Sequence, residues 1–159
     1  MKTDSATTDL EALAEELRAA DASPHYERPL RAAAIGERLE ALGVRPDTLA
    51  TVAEWVTSLA MTSGCSRLVG ASRFGQTVVG AAVALSDGRL RCYQAPEAAE
   101  GGVLVVDGIL VTGSQLADTA TALRQDGVVR VVGAVVLAAQ PPGAQLRQLV
   151  DDLVVLTPA

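Results

Sequence analysis

The stretch GVLVVDGILVTGSQLADTATALRQDGVVRVVGAVVL, residues 102–137, decides how this chain folds. It opens on a continuous apolar run, 103–106, closed by Asp107. A loop of small and hydroxyl residues follows, then an amphipathic helical pattern over 115–126 and a second apolar run over 129–137. Unbroken Val/Leu/Ile runs of this kind suit strands covered on both faces, which is how a parallel sheet is written. Moving outward, 67–71, 89–93 and 153–156 read as further strands, with helices near 76–86 and 143–151. Alternating strand and helix implies right-handed crossovers and a doubly wound, mostly parallel α/β layer of five strands.

The text changes near Ser63-Gly64. Residues 1–63 read as a helical N-terminal extension, and 64–159 as the α/β core on which it packs. Thr8 and Glu11 form a capping-box pattern ahead of a stripe through Leu10, Leu13, Ala14 and Leu17. A break at 21–27 containing Pro24 leads to a second stripe through Leu30, Ala34, Ile35, Leu39 and Leu42, ending near Gly43. Pro46 suits the first turn of a third helix with Leu49, Val52, Val56 and Leu59 on its apolar face. These helices carry more apolar surface than a short sheet needs as cover, which points to a homodimer contact.

Composition bounds the chemistry. With 159 residues, 49% of them apolar and 20% charged, the chain can bury a core of its own. A net charge of −6, with Lys2 the sole lysine among thirteen Lys and Arg residues, argues against nucleic acid and anionic membrane as partners. Two cysteines, Cys65 and Cys92, are too few for a disulfide framework or a structural zinc site, and both read as small buried groups. The single histidine, His25, excludes a multi-imidazole centre and reads as a surface residue. Trp55 sits beside the apolar face of the third helix and reads as core or subunit contact. The acidic N-terminus lacks a signal-peptide core, and no apolar run reaches membrane-spanning length, so a soluble cytoplasmic protein is expected.

The chemistry concentrates around Asp107. The segment Val111-Thr112-Gly113-Ser114 runs into a helix beginning at Gln115, where backbone N–H groups lack intrahelical partners and the helix dipole favours an anion. Thr112 and Ser114 add hydroxyls, and Gly113 permits close backbone approach. Asp107 is an acceptor suited to sugar hydroxyls or to water on a magnesium ion. A phosphate cradle beside a hydroxyl acceptor is a ribose-phosphate site. The same pattern also serves an ordinary strand–turn–helix of an α/β core.

The run Leu104-Val105-Val106-Asp107-Gly108-Ile109-Leu110-Val111-Thr112-Gly113-Ser114 resembles the phosphoribosyl pyrophosphate (PRPP) signature of type I phosphoribosyltransferases. Upstream, Leu68-Val69-Gly70-Ala71-Ser72-Arg73-Phe74-Gly75 is similar to the family's first strand and pyrophosphate loop, nearest to orotate-type members. The resemblance covers about residues 65–157. It implies strand order 2-1-3-4-5, with ligand at the carboxyl ends of the first and third strands. It also implies a 5′-phosphate at Val111, Thr112, Gly113, Ser114 and Gln115, and a ribose hydroxyl at Asp107. Pyrophosphate or a second phosphate would lie at Ser72, Arg73, Phe74 and Gly75. An enzyme of this kind transfers ribose 5-phosphate from PRPP to a base, here a pyrimidine-like one, with magnesium assisting departure of pyrophosphate. Asp107 and Arg73 would be its catalytic residues.

Two departures weaken that activity. The family pairs two adjacent acids, and here the second is Gly108; a lost charge-assisted hydrogen bond costs about 1.5–3 kcal/mol. The family's long hood loop is shortened to the connector 94–102, which is acidic and has no lysine or arginine. Arg73 is then the nearest cation, with Arg89 and Arg91 on the next strand as candidates. A non-catalytic regulatory or structural nucleotide-binding relative is therefore the first alternative. A degenerate P-loop is the second, because Gly70-Ala71-Ser72-Arg73-Phe74-Gly75-Gln76-Thr77 has Walker A spacing with Gln76 at the lysine position.

Overall fold

The computed structural model describes residues 5–22, 24, 27–95, 99–138 and 142–157. His25 and part of the connector 94–102 lie outside them. Three helices come first: α1 (Ser5–Asp21), α2 (Arg28–Gly43) and α3 (Pro46–Ser63). Then follow β1 (Arg67–Gly70), α4 (Arg73–Leu85), β2 (Arg91–Cys92), β3 (Val103–Leu110), α5 (Ser114–Gln125), β4 (Val131–Ala138), α6 (Ala144–Leu149) and β5 (Asp152–Val155). The five strands form one parallel sheet in the order β2-β1-β3-β4-β5.

The helix boundaries follow from local chemistry. Pro46 and Asp47 occupy the first turn of α3, and Gly64 ends it in the left-handed conformation at φ 74°, its N–H bonding the carbonyls of Ala60 and Met61. The capping box expected at Thr8 is not formed, because α1 is already helical at Ser5 and Thr8 lies within it. Ala6, fully buried, extends the apolar stripe of Leu10, Leu13 and Leu17 and carries the helix upstream.

Side chains of the central strands alternate between two apolar layers. Leu104, Val106, Val132 and Ala134 pack with Leu10, Leu13, Leu39, Val52, Val56 and Val78, so α1–α4 cover one face. Val103, Val105, Val131 and Val135 pack with Leu116, Leu123 and Leu146 of α5 and α6 on the other. Burying each such leucine or valine contributes about 1.5–3 kcal/mol. Most of the apolar stripes of the first three helices thus turn inward onto the sheet, Trp55 among the residues packed there, whereas Leu30 and Ala34 of the α2 stripe are exposed. Cys65 is buried as expected; Cys92 is exposed instead, since β2 is a two-residue edge strand with both residues open to solvent.

Candidate functional site

β3 is longer than the sequence suggests, and that changes the position of Asp107. Its pairing with β1 stops at Gly70↔Val106, whereas its pairing with β4 continues to Leu110↔Ala138. Asp107 is therefore not the strand's last residue but the first one beyond the end of β1. Gly108 does not terminate the strand. It makes room, since a Cβ there would lie 3.0 Å from both Leu39 Cδ2 and Phe74 Cδ1.

From β1 the chain turns through Ala71 and Ser72 directly into α4. Ser72 caps the helix, its Oγ accepting from the Gly75 N–H at 3.1 Å. Arg73, Phe74 and Gly75, expected in an open pyrophosphate loop, instead form the first turn of α4, because the Ser72 cap closes the helix at once. The turn between β1 and α4 has two residues, so Arg73, Phe74, Gly75, Gln76 and Thr77 of the Walker-spaced stretch are helical. The glycines here serve close packing: a Cβ at Gly75 would stand 2.1 Å from the Val106 carbonyl oxygen, and one at Gly70 would stand 2.2 Å from the Gln76 nitrogen. Phe74, 6% exposed, wedges its ring against Gly43 and Gly108.

Asp107 is only 3% exposed. Burial pushes its carboxyl above the usual carboxylate range, against the opposing effects of the Ser72 hydroxyl and the Gly108 amide. The Gly108 N–H donates to Asp107 Oδ1 at 2.8 Å. Ser72 thus caps α4 beside the β3 carboxylate.

On the other side of β3, Gly113 adopts φ 78° and is buried against Leu146 and Leu110, a conformation and a fit that favour glycine. Thr112 and Ser114 are exposed and bond each other, hydroxyl to hydroxyl at 3.3 Å, and the Ser114 N–H donates to Thr112 Oγ1 at 3.3 Å. Among the described residues, the amides of Gln115 and Leu116 at α5, and of Arg73 and Phe74 at α4, have no protein acceptor. Two helix starts with unpaired donors therefore flank the point where the sheet order reverses.

A cavity of about 530 Å³ occupies this position. Ser72, Arg73 and Phe74 line it from α4 and its cap, Asp107, Gly108 and Ile109 from β3, and Gln115 from α5. Its remaining wall is α2, through Ala33, Gly36, Glu37, Leu39 and Glu40. Of the sequence-expected residues, Ser72, Arg73, Phe74, Asp107 and Gln115 share this space, while Val111, Thr112, Gly113, Ser114 and Gly75 do not line it. Glu37 and Glu40 were invisible as site residues, because on the polar side of α2 they read as a solvated face. Among the described residues neither glutamate, nor Arg73, takes part in an ion pair.

Other expected contributors stand elsewhere. Parallel pairing sets Arg91 beside Arg67 at the amino end of β1, so Arg89 and Arg91 lie at the opposite end of the sheet from Ser72. Asp107 has one oxygen committed to Gly108, its neighbour is a glycine, and no group of three metal-ligating side chains occurs among the described residues.

Comparison with protein-family models and with curated proteins finds no match to this chain. No helix among the described residues is long and apolar enough to cross a membrane.

Proposed function

We propose that this protein binds a ribose 5-phosphate compound, a nucleoside 5′-monophosphate or PRPP, in the cavity at the reversal of strand order, as a phosphoribosyltransferase-like binding protein without turnover. The observation that carries the reading is the convergence of two helix amino ends, Arg73 and Asp107 on one space of mononucleotide size. A phosphate fits between the starts of α4 and α5, where unpaired amides and the Arg73 guanidinium supply donors. Asp107, held by the Gly108 N–H, accepts from a ribose hydroxyl through its remaining lone pairs.

Loss of turnover is favoured by a specific fact. The side of β3 on which a second acid would stand is crowded by Leu39 and Phe74, so a carboxylate at the position of Gly108 requires these side chains to shift. Leaving-group stabilisation would also need cations beyond the single Arg73, and the connector supplies none.

Calorimetric titration with PRPP and with nucleoside monophosphates, paired with a pyrophosphate-release assay over a panel of bases, tests this. Binding without release is the expected result. Release of pyrophosphate would restore the transferase, and absence of binding by either ligand class would reject the site.

A further inference from the structure

The cavity is polarised, and its two halves ask for different chemistry. The half formed by α4 and α5 presents donors: the amides of Arg73, Phe74 and Gln115, and the Arg73 guanidinium. The half formed by α2 presents acceptors alone. Its backbone is consumed by helix hydrogen bonds, Ala33, Gly36 and Leu39 are apolar, and its polar groups are the carboxylates of Glu37 and Glu40. These two stand three residues apart on one helix and therefore face the same way. The other charged groups lining the cavity are Arg73 and Asp107.

We infer that the site selects nucleotides whose base carries an exocyclic amino group, such as guanine or cytosine, and rejects carboxylated or all-oxo pyrimidines. This rests on the ribose-phosphate reading above. With the phosphate between α4 and α5 and the sugar at Asp107, the base extends toward α2. An exocyclic amino group donates N–H bonds to carboxylate acceptors there, and guanine adds a ring N–H. A carboxylate-bearing base such as orotate meets two like charges, and uracil offers a single ring donor between two carbonyls. This revises the pyrimidine-like base implied by the sequence resemblance, because the acids that decide it come from α2, outside the resembling segment.

The experiment is a calorimetric series with guanosine, cytidine, uridine and orotidine 5′-monophosphates on the full chain, repeated on the double variant Glu37→Gln/Glu40→Gln. Both glutamates are exposed, so the variant keeps the fold, which circular dichroism checks. The expected result is at least tenfold tighter binding of the guanosine or cytidine nucleotide than of the uridine one, with the orotidine nucleotide weakest. In the variant that preference falls below threefold, because glutamine both donates and accepts. Uridine or orotidine monophosphate binding as well as the amino-bearing nucleotides overturns the inference and leaves the ribose-phosphate site standing. If none of the four binds, the site itself is rejected, and the inference with it.

Discussion

The two ends of the sheet use arginine in opposite ways. At the amino end, Arg130 donates from Nη1 to the Ser63 carbonyl at 2.6 Å and to the Gly101 carbonyl at 2.9 Å. Arg124 likewise bonds the Leu149 carbonyl through Nε and Nη2 at 3.2 and 3.0 Å, and Asp151 at 2.9 Å. These guanidiniums tie loops and strand starts together. At the carboxyl end, Arg73 makes no ion pair among the described residues although two glutamates and Asp107 line the same cavity. Charge fully consumed by the chain is architecture; charge held apart beside a cavity is available to a ligand. The helical face above that cavity is what makes the difference, since α2 brings acids without bringing them into contact with Arg73.

The contrast can be broken most severely at Gly108. Gly108→Asp places a Cβ and a charge against Leu39 and Phe74, and should destabilise the fold by about 3 kcal/mol in urea denaturation. It should not improve PRPP binding; tighter binding would show that the second acid fits after all. Arg130→Ala comes next. Leaving two carbonyls without their donor should cost about 2 kcal/mol, whereas Arg73→Ala should change stability by less than about 0.5 kcal/mol and weaken phosphate binding instead. Equal stability losses in the two variants would erase the distinction between the ends.

The smallest effects concern two aspartates with opposite displacements. Burial raises the Asp107 carboxyl, so its ionised form weakens the native state near neutrality, and that cost is relieved as pH falls through the raised pKa. Asp151 accepts from the Val131 N–H at 2.8 Å and pairs with Arg124, which lowers its pKa. Its contribution is present above the ordinary carboxylate value and is lost as pH falls through the lowered one. Thermal midpoints measured from pH 7 to pH 3 should therefore show Asp107→Asn at or above the parent at pH 7, converging with it on acidification. Asp151→Asn should start below the parent and also converge, at lower pH. A parent that outlasts Asp107→Asn at pH 7 would mean that the carboxylate is better satisfied than its burial implies.

Much of the frame was legible in the residues. The five strands and the helices between them followed from apolar runs such as 103–106 and from the glycine punctuation, because parallel strands buried on both faces have few other spellings, while the strand order came from the family resemblance. Strand ends were less visible. The expected strand stopped at Asp107, yet Gly108 lies mid-strand, where Leu39 of α2 and Phe74 of α4 pack against it. The cavity's floor was legible for the same reason, since Ser72, Arg73, Asp107 and Gln115 sit at strand ends and helix starts that the topology must bring together. Its roof was not. Nothing in the local pattern of α2 distinguishes Glu37 and Glu40 from any solvated glutamates, and only the long-range packing of Leu39 and Gly43 against Phe74 sets that helix over the cavity.

The central claim, that a ribose phosphate is held between two helix starts, is tested most directly by following backbone amide resonances during titration with ribose 5-phosphate. The account predicts saturable shifts concentrated at Arg73, Phe74, Gln115 and Leu116, lost in Arg73→Ala. Shifts scattered over the surface, or centred at the amino end of the sheet around Arg124 and Arg130, would contradict it.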